Sequence, residues 1–287
     1  MNTATRLSLY GLSLVGVFAV AFFAGRALIP DETVADWTKR ADEASQEHDG
    51  MAEGHEMAQV GGLSVEEDGY RLVAVDAPQR AGESGELSFR ILDPSGDPLT
   101  RFATNHEKQL HLITVRSDGS SFEHVHPDLD PKTGTWSTPW NWPEGGAYRL
   151  FADFVPADST SVGDLVLGQN LEVAGQLEPV ASRLSRTDSV SGFDVTLSGD
   201  LQAGATSRLT ATITRNGKPV TGIEPYLGAA GHLVALREGD LGYLHVHAEE
   251  GQLEFGAEVP TPGRYLLYLD FKVDGQVHTA EFALEAK

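Results

Sequence analysis

The 287-residue chain contains no cysteine. That excludes disulfides, thiolate zinc sites, a cysteine nucleophile, a blue-copper centre and lipid attachment through a lipobox. A transition metal would have to be held by His, Met or carboxylates. Basic residues are scarce as well: 21 Lys and Arg stand against 42 Asp and Glu, a formal net charge of −21. Such a field repels nucleic acid and anionic lipid surfaces, so neither is expected as a partner, and it draws cations without selecting among them. Beyond residue 60 no long segment carries the 3.6-residue apolar period of a helix. What is present suits a packed, turn-rich fold: 40% hydrophobic residues and 31 glycines.

Leu7 to Gly25 is uncharged and rich in Leu, Val, Phe and Ala. Its length matches a bilayer-spanning helix. Arg6 precedes it and Asp31, Glu32 and Asp36 follow, which places the N-terminus in the cytoplasm and the remainder outside, although Arg26 weakens the bias. A cleaved signal peptide ending near Gly25-Arg26-Ala27 is the competing reading; export follows from either. The expected organisation is a cytoplasmic stub and anchor over residues 1–29 and an acidic linker over 30–60, with a short helix over Asp31 to Glu47. Two β-sandwich repeats follow, over 61–175 and 178–287. The linker gathers His48, Met51, His55 and Met57 within ten residues. Thioether and imidazole together suit copper, so these four are auxiliary metal candidates, although a solvated tether explains them equally.

The remainder of the chain repeats itself. Gly69-Tyr70, Ala81-Gly82, Leu87/Phe89/Ile91 and Gly96-Asp-Pro98 recur in order as Gly192-Phe193, Ala203-Gly204, Leu209/Ala211/Ile213 and Gly217-Lys-Pro219. Gly146-Ala-Tyr148 through Asp153-Phe154 matches Gly263-Arg-Tyr265 through Asp270-Phe271. Short alternating strands with Gly and Pro turns about every ten residues predict all-β architecture, two tandem immunoglobulin-like sandwiches after the N-terminal transmembrane helix.

Inside the repeat lies a matched spacing, Pro-x12-His-x12-His-x-His. It reads Pro98, His111, His124, His126 in the first copy and Pro219, His232, His245, His247 in the second. A hairpin centred between Ser117 and Asp118 sets His111 opposite His124, with Cβ atoms about 4.5–5.5 Å apart. His126, two residues on, shares the face. Arg237-Glu-Gly239-Asp forms the equivalent turn in the second copy. Three imidazoles in each repeat suit Cu(II) or Zn(II) with a position left open. Copper is the expected ion, on the strength of the His/Met linker, with zinc as the alternative. His106 is a further auxiliary candidate, although the second copy carries Leu227-Gly228 in place of His106-Glu107. Asp153 and Asp270 read first as a solvated strand face and second as groups that orient a ligand imidazole. Trp136, Trp140 and Trp142 read as packing over a sandwich end, and His278 as unrelated.

The string His106-Glu-Lys-Gln-Leu-His111-Leu-Ile-Thr-Val, with Phe122-Glu-His124-Val-His126-Pro127 and Gly146-Ala-Tyr148, resembles a family of exported bacterial proteins. These carry a His-Leu-His-Pro-like segment in an immunoglobulin-like sandwich, often bear heavy-metal labels and look like relatives of CopC-type and YtkA-like domains. The resemblance covers about residues 65–287 and implies metal handling but no established reaction. The second copy departs from it with Ala248 in place of the proline. The His-x-His on a sandwich is also similar to the copper subunit of particulate methane monooxygenase. That site needs an N-terminal amine, so its activity is not carried over. The expectation is a membrane-anchored, extracytoplasmic copper-binding protein for sequestration, delivery or tolerance, not an enzyme. Its partners would be the metal ion, the membrane through the N-terminal helix, and a metal transporter or cuproprotein. A surface adhesion or scaffold module with merely packed histidines is the runner-up. A three-His metalloenzyme needs a nearby base, and Glu123 points to the face opposite His124.

Overall fold

The computed structural model describes residues 60–157, 163–244, 246–248 and 252–287. All of them belong to one compact unit, 57–287. The expected anchor and the linker residues His48, Met51, His55 and Met57 lie outside the described residues. Among the described residues every regular element is a strand, and no helix is long and apolar enough to cross a membrane.

The first repeat contains β1 (Glu66–Glu67), β2 (Tyr70–Asp76), β3 (Ser84–Leu92), β4 (Leu110–Arg116), β5 (Glu123–Val125), β6 (Asp128–Asp130), β7 (Thr135–Asn141), β8 (Gly146–Phe154) and β9 (Leu165–Val173). The second contains β10 (Thr187–Val190), β11 (Phe193–Ser198), β12 (Thr206–Arg215), β13 (Lys218–Pro219), β14 (Ile223–Glu224), β15 (His232–Arg237), β16 (Tyr243–Leu244), β17 (Val246–Ala248), β18 (Glu254–Glu258), β19 (Gly263–Val273) and β20 (Gln276–Ala286). Each repeat is a two-sheet antiparallel sandwich. In the first, an outer sheet β1-β2-β3-β7-β6 faces an inner sheet β5-β4-β8-β9. In the second, the outer sheet is β10-β11-β12-β18-β17, with β13 added on β12, and the inner sheet is β14-β19-β15-β16, with β20 on β19.

Sequence pattern and burial agree strand by strand. Outer-sheet β11 alternates strictly between buried and exposed, as Phe-Asp-Val-Thr-Leu-Ser requires when one face meets solvent. Inner-sheet β4, Leu-His-Leu-Ile-Thr-Val-Arg, is buried at every position. One face of β4 sends Leu110 and Leu112 into the first sandwich core, beside Leu87, Phe89, Ile91, Trp136, Trp140 and Trp142. Its other face sends Ile113 and Val115 into a separate core with Phe151, Val234, Leu236, Leu266 and Tyr268. This third core joins the repeats: their inner sheets pack against each other. At roughly 1.5–3 kcal/mol for each large apolar side chain taken from water, it is a substantial bond between the two halves.

The packing is pseudo-symmetric. Phe122 of the first repeat stacks on Tyr268 of the second, with centroids 4.0 Å apart. Their counterparts, Tyr243 and Phe151, make the reciprocal contact at 5.7 Å. Close approach at one point demands glycine: a Cβ on Gly119, whose φ is +84°, would lie 2.5 Å from Leu266 Cδ1. The buried Arg116 ties the same end of β4 to Asp118 and Glu144. Asp118 in turn accepts from the inter-repeat segment at Val180 N. The histidines lie at the other end of β4.

Candidate metal centre

His111 occupies the interface face of β4, two residues from Ile113, and His232 occupies the interface face of β15, two residues from Val234. Beyond the apolar part of that interface the two equivalent rings stack, centroids 5.5 Å apart and planes 2° from parallel. The returning strand β5 adds His124 and, just past its end, His126. His124 pairs in register with Ile113 and Val125 with Leu112. This corrects the expected hairpin, in which His111 stood opposite His124. The turn is longer, with Ser121 at φ +53° and the Ser120 carbonyl accepting from Arg116 N. The slip is two residues, an even number, so His124 stays on the face of His111.

The ring nitrogens converge. His111 Nδ1 is 3.0 Å from His124 Nε2 and 3.2 Å from His126 Nε2. Ligand atoms of His111, His124 and His232 all lie within 4.8 Å of one another. Outer partners set the tautomers. The Asn105 carbonyl, 3.2 Å from His111 Nε2, can only accept, so that nitrogen carries the proton and Nδ1 is bare. The Asp270 carboxylate, 2.7 Å from His124 Nδ1, accepts that N–H and turns Nε2 towards His111. Thr279 Oγ1 donates to the other oxygen of Asp270 at 2.6 Å and fixes the carboxylate. His111 Nδ1 thus offers its lone pair to a proton or a cation held between it and the two neighbouring imidazole nitrogens. The separations of His111 Nδ1 from His124 Nε2 and from His126 Nε2, 3.0 and 3.2 Å, approach the edge of roughly 3.3 Å that a tetrahedral site with metal–nitrogen bonds near 2.0–2.1 Å requires.

Burial keeps three of the rings in their unprotonated form. Burial first, and the neighbouring His124 next, push the rings of His111 and His126 down to about 3. Burial likewise holds His232 well below the ordinary imidazole value. These rings are neutral near pH 7 and need lose no proton to bind an ion. Access is from the rim. There the Asn105–Lys108 turn brings the His106 ring to 6.1 Å from that of His111 and 5.5 Å from that of His232. Tyr226, half-buried, stands 6.4 Å from His126, its hydroxyl pushed up to about 12 by burial and then by the charge of Asp270.

The six expected ligands therefore divide. His111, His124, His126 and His232 meet at one place. His245 lies outside the described residues. His247 is exposed on β17, opposite Gly256 of β18 in the outer sheet. The sequence left separate and shared sites open; the cluster draws on both repeats. Asp153 and Asp270 are not a solvated face: they are 6% and 2% exposed. Asp153 Oδ2 accepts from Tyr243 Oη at 3.0 Å, while Asp270 holds His124. The tryptophans lie in the first core, and Trp142 also lines a cavity with Pro78 and Leu171. The sequence gives no sign of the Asn105 carbonyl or Tyr226, and it leaves open whether the repeats keep separate sites or share one. A signal for sharing was in view: the unbroken apolar run Leu233-Val234-Ala235-Leu236 marks a strand covered on both faces.

Residues 64–168 and 188–287 match the family model described as a domain of unknown function, DUF8832. The chain belongs to this family. No curated protein matches this DUF8832 chain. Among solved structures, a chimeric titin Z1Z2 tandem is 17% identical, with 76% of this chain and 99% of that chain covered and a TM-score of 0.20. Domains 3–5 of Drosophila OTK are 13% identical, covering 79% and 68%, with a TM-score of 0.21. Salmonella alpha-2-macroglobulin is 14% identical, covering 79% and 15%, with a TM-score of 0.25. Likenesses this low carry no argument about the DUF8832 fold or its role.

Proposed function

We propose that this chain is a membrane-anchored, extracytoplasmic metal-binding protein that holds one Cu(II) ion, with Zn(II) as the alternative, between its two repeats. The observation that carries this reading is the convergence of two imidazole nitrogens, His111 Nδ1 and His124 Nε2, 3.0 Å apart, with His126 and His232 beside them. Neutral imidazoles without sulfur are the donors that Cu(II) and Zn(II) accept, and a carboxylate behind one ring is the usual support of such a ligand. The acidic surface and the His48/Met51/His55/Met57 segment favour a role in gathering copper for sequestration, delivery or tolerance. A metal transporter or cuproprotein is the partner such a role implies. Binding is the proposed activity.

The test is metal stoichiometry. The full-length chain, stripped with EDTA and dialysed separately against Cu(II) and Zn(II), is expected to retain one ion. His111→Ala and His124→Ala are expected to lose it, and His247→Ala to keep it. Two retained ions would restore one site per repeat. None would leave the histidines as a hydrogen-bonded contact between repeats and favour the scaffold reading.

A further inference from the structure

The mirrored turns at the rim of the site differ. In both, the two central residues have positive φ: His106 at 46° and Glu107 at 64°, Leu227 at 55° and Gly228 at 80°. Both turns close with the same main-chain bond, Asn105 N to Lys108 O and Tyr226 N to Ala229 O, each 2.8 Å. The second repeat buries Leu227, which is 2% exposed. The first places an exposed imidazole at that position, within ring contact of His111 and His232 but not of His124 or His126. The residue before it, Asn105, is the one whose carbonyl sets the tautomer of His111.

We infer that His106 is the entry ligand of the site, the outermost imidazole through which a metal ion passes between solvent and the buried set. This rests on the metal-binding reading above. The buried rings are poor first contacts: His111 is 2% exposed and the side chain of His124 1%. An ion must shed its water in steps, and a solvent-facing nitrogen in contact with two inner rings replaces the first waters before the last are lost. The ligand class is a hydrated divalent transition-metal ion.

The experiment compares kinetics with stoichiometry. His106→Asn tolerates the left-handed φ and removes the imidazole. The full-length wild-type and variant chains are mixed with Cu(II); uptake, and later removal by EDTA, are followed by stopped-flow absorbance, and bound copper by elemental analysis. The expected result is one ion per chain in both, with uptake and removal slowed about tenfold in the variant, the low end of what an outer partner of a metal site controls. Unchanged rates would overturn the inference. So would loss of the bound ion, which would make His106 an inner ligand. A wild-type chain that binds no copper would overturn both this inference and the reading beneath it; unchanged rates with an intact site would overturn only the inference.

Discussion

The two repeats carry the same histidine spacing and use it differently. In the first, the returning strand stays on the inner sheet through Val125 and joins the outer sheet only at Asp128, which pairs with Ser137. In the second, it leaves the inner sheet after Leu244 and is paired in the outer sheet by Val246. Pro127 accounts for the difference. It has no N–H to give to an outer-sheet ladder, so pairing waits until it has passed, and His124 and His126 remain at the interface. Ala248, its counterpart, pairs with Phe255, and His247 travels outward with it. A second single-residue difference assigns the carboxylates. Tyr243 has a hydroxyl for Asp153; Phe122 has none for Asp270, which holds His124 instead. Identical spacing therefore does not give identical sites when one strand changes sheets.

The largest effect that should sharpen this comparison is acid. His111 and His126 sit at about 3 in the folded chain, against an ordinary 6.5. Below about pH 6.5 the unfolded chain takes up protons that the folded chain refuses. Stability of the metal-free protein is therefore full above that pH and lost as the pH falls towards 3. Urea midpoints across the range check this, and the fall should shrink in a His111→Ala/His126→Ala variant but not in His247→Ala. Next, Leu236→Ala in the shared third core should cost about 2–5 kcal/mol by urea denaturation, while Thr196→Ala on the exposed face of an outer sheet should stay within about 0.5 kcal/mol.

Asp270→Asn should weaken metal affinity about 10–100-fold by titration calorimetry, because an amide does not secure the tautomer of His124. Asp153→Asn should leave it nearly unchanged; equal effects would break the proposed asymmetry. Tyr243→Phe, which makes the second repeat resemble the first, should cost about 1–3 kcal/mol in thermal denaturation through the lost buried hydrogen bond to Asp153. The smallest effect belongs to His247→Ala, within about 0.5 kcal/mol and with metal content unchanged.

Much of the architecture was legible in the residues. Alternation in strands such as Phe193-Asp-Val-Thr-Leu-Ser, the recurring Gly and Pro turns and the matched blocks from Tyr70 and Phe193 onward identify an all-β chain repeated once. The shared face of His111, His124 and His126 was legible too, because side chains alternate along a strand and an even slip in register leaves the face unchanged. The register itself was not, since it depends on left-handed backbone at Ser121 and on the contact of Gly119 with Leu266, a residue of the other repeat.

Local periodicity determines which residues can share a face, and that much this chain states by itself: duplicated sandwiches, with imidazoles grouped on inner strands. Tertiary structure alone decided that the inner sheets bury each other, that His232 and Asp270 complete a cluster begun by the first repeat, and that His247 stands outside it. The reason is physical. Side-chain direction follows from the chemistry of neighbouring residues, whereas the meeting of His124 with Asp270 spans 146 positions and exists only once a third core has closed between two finished sandwiches.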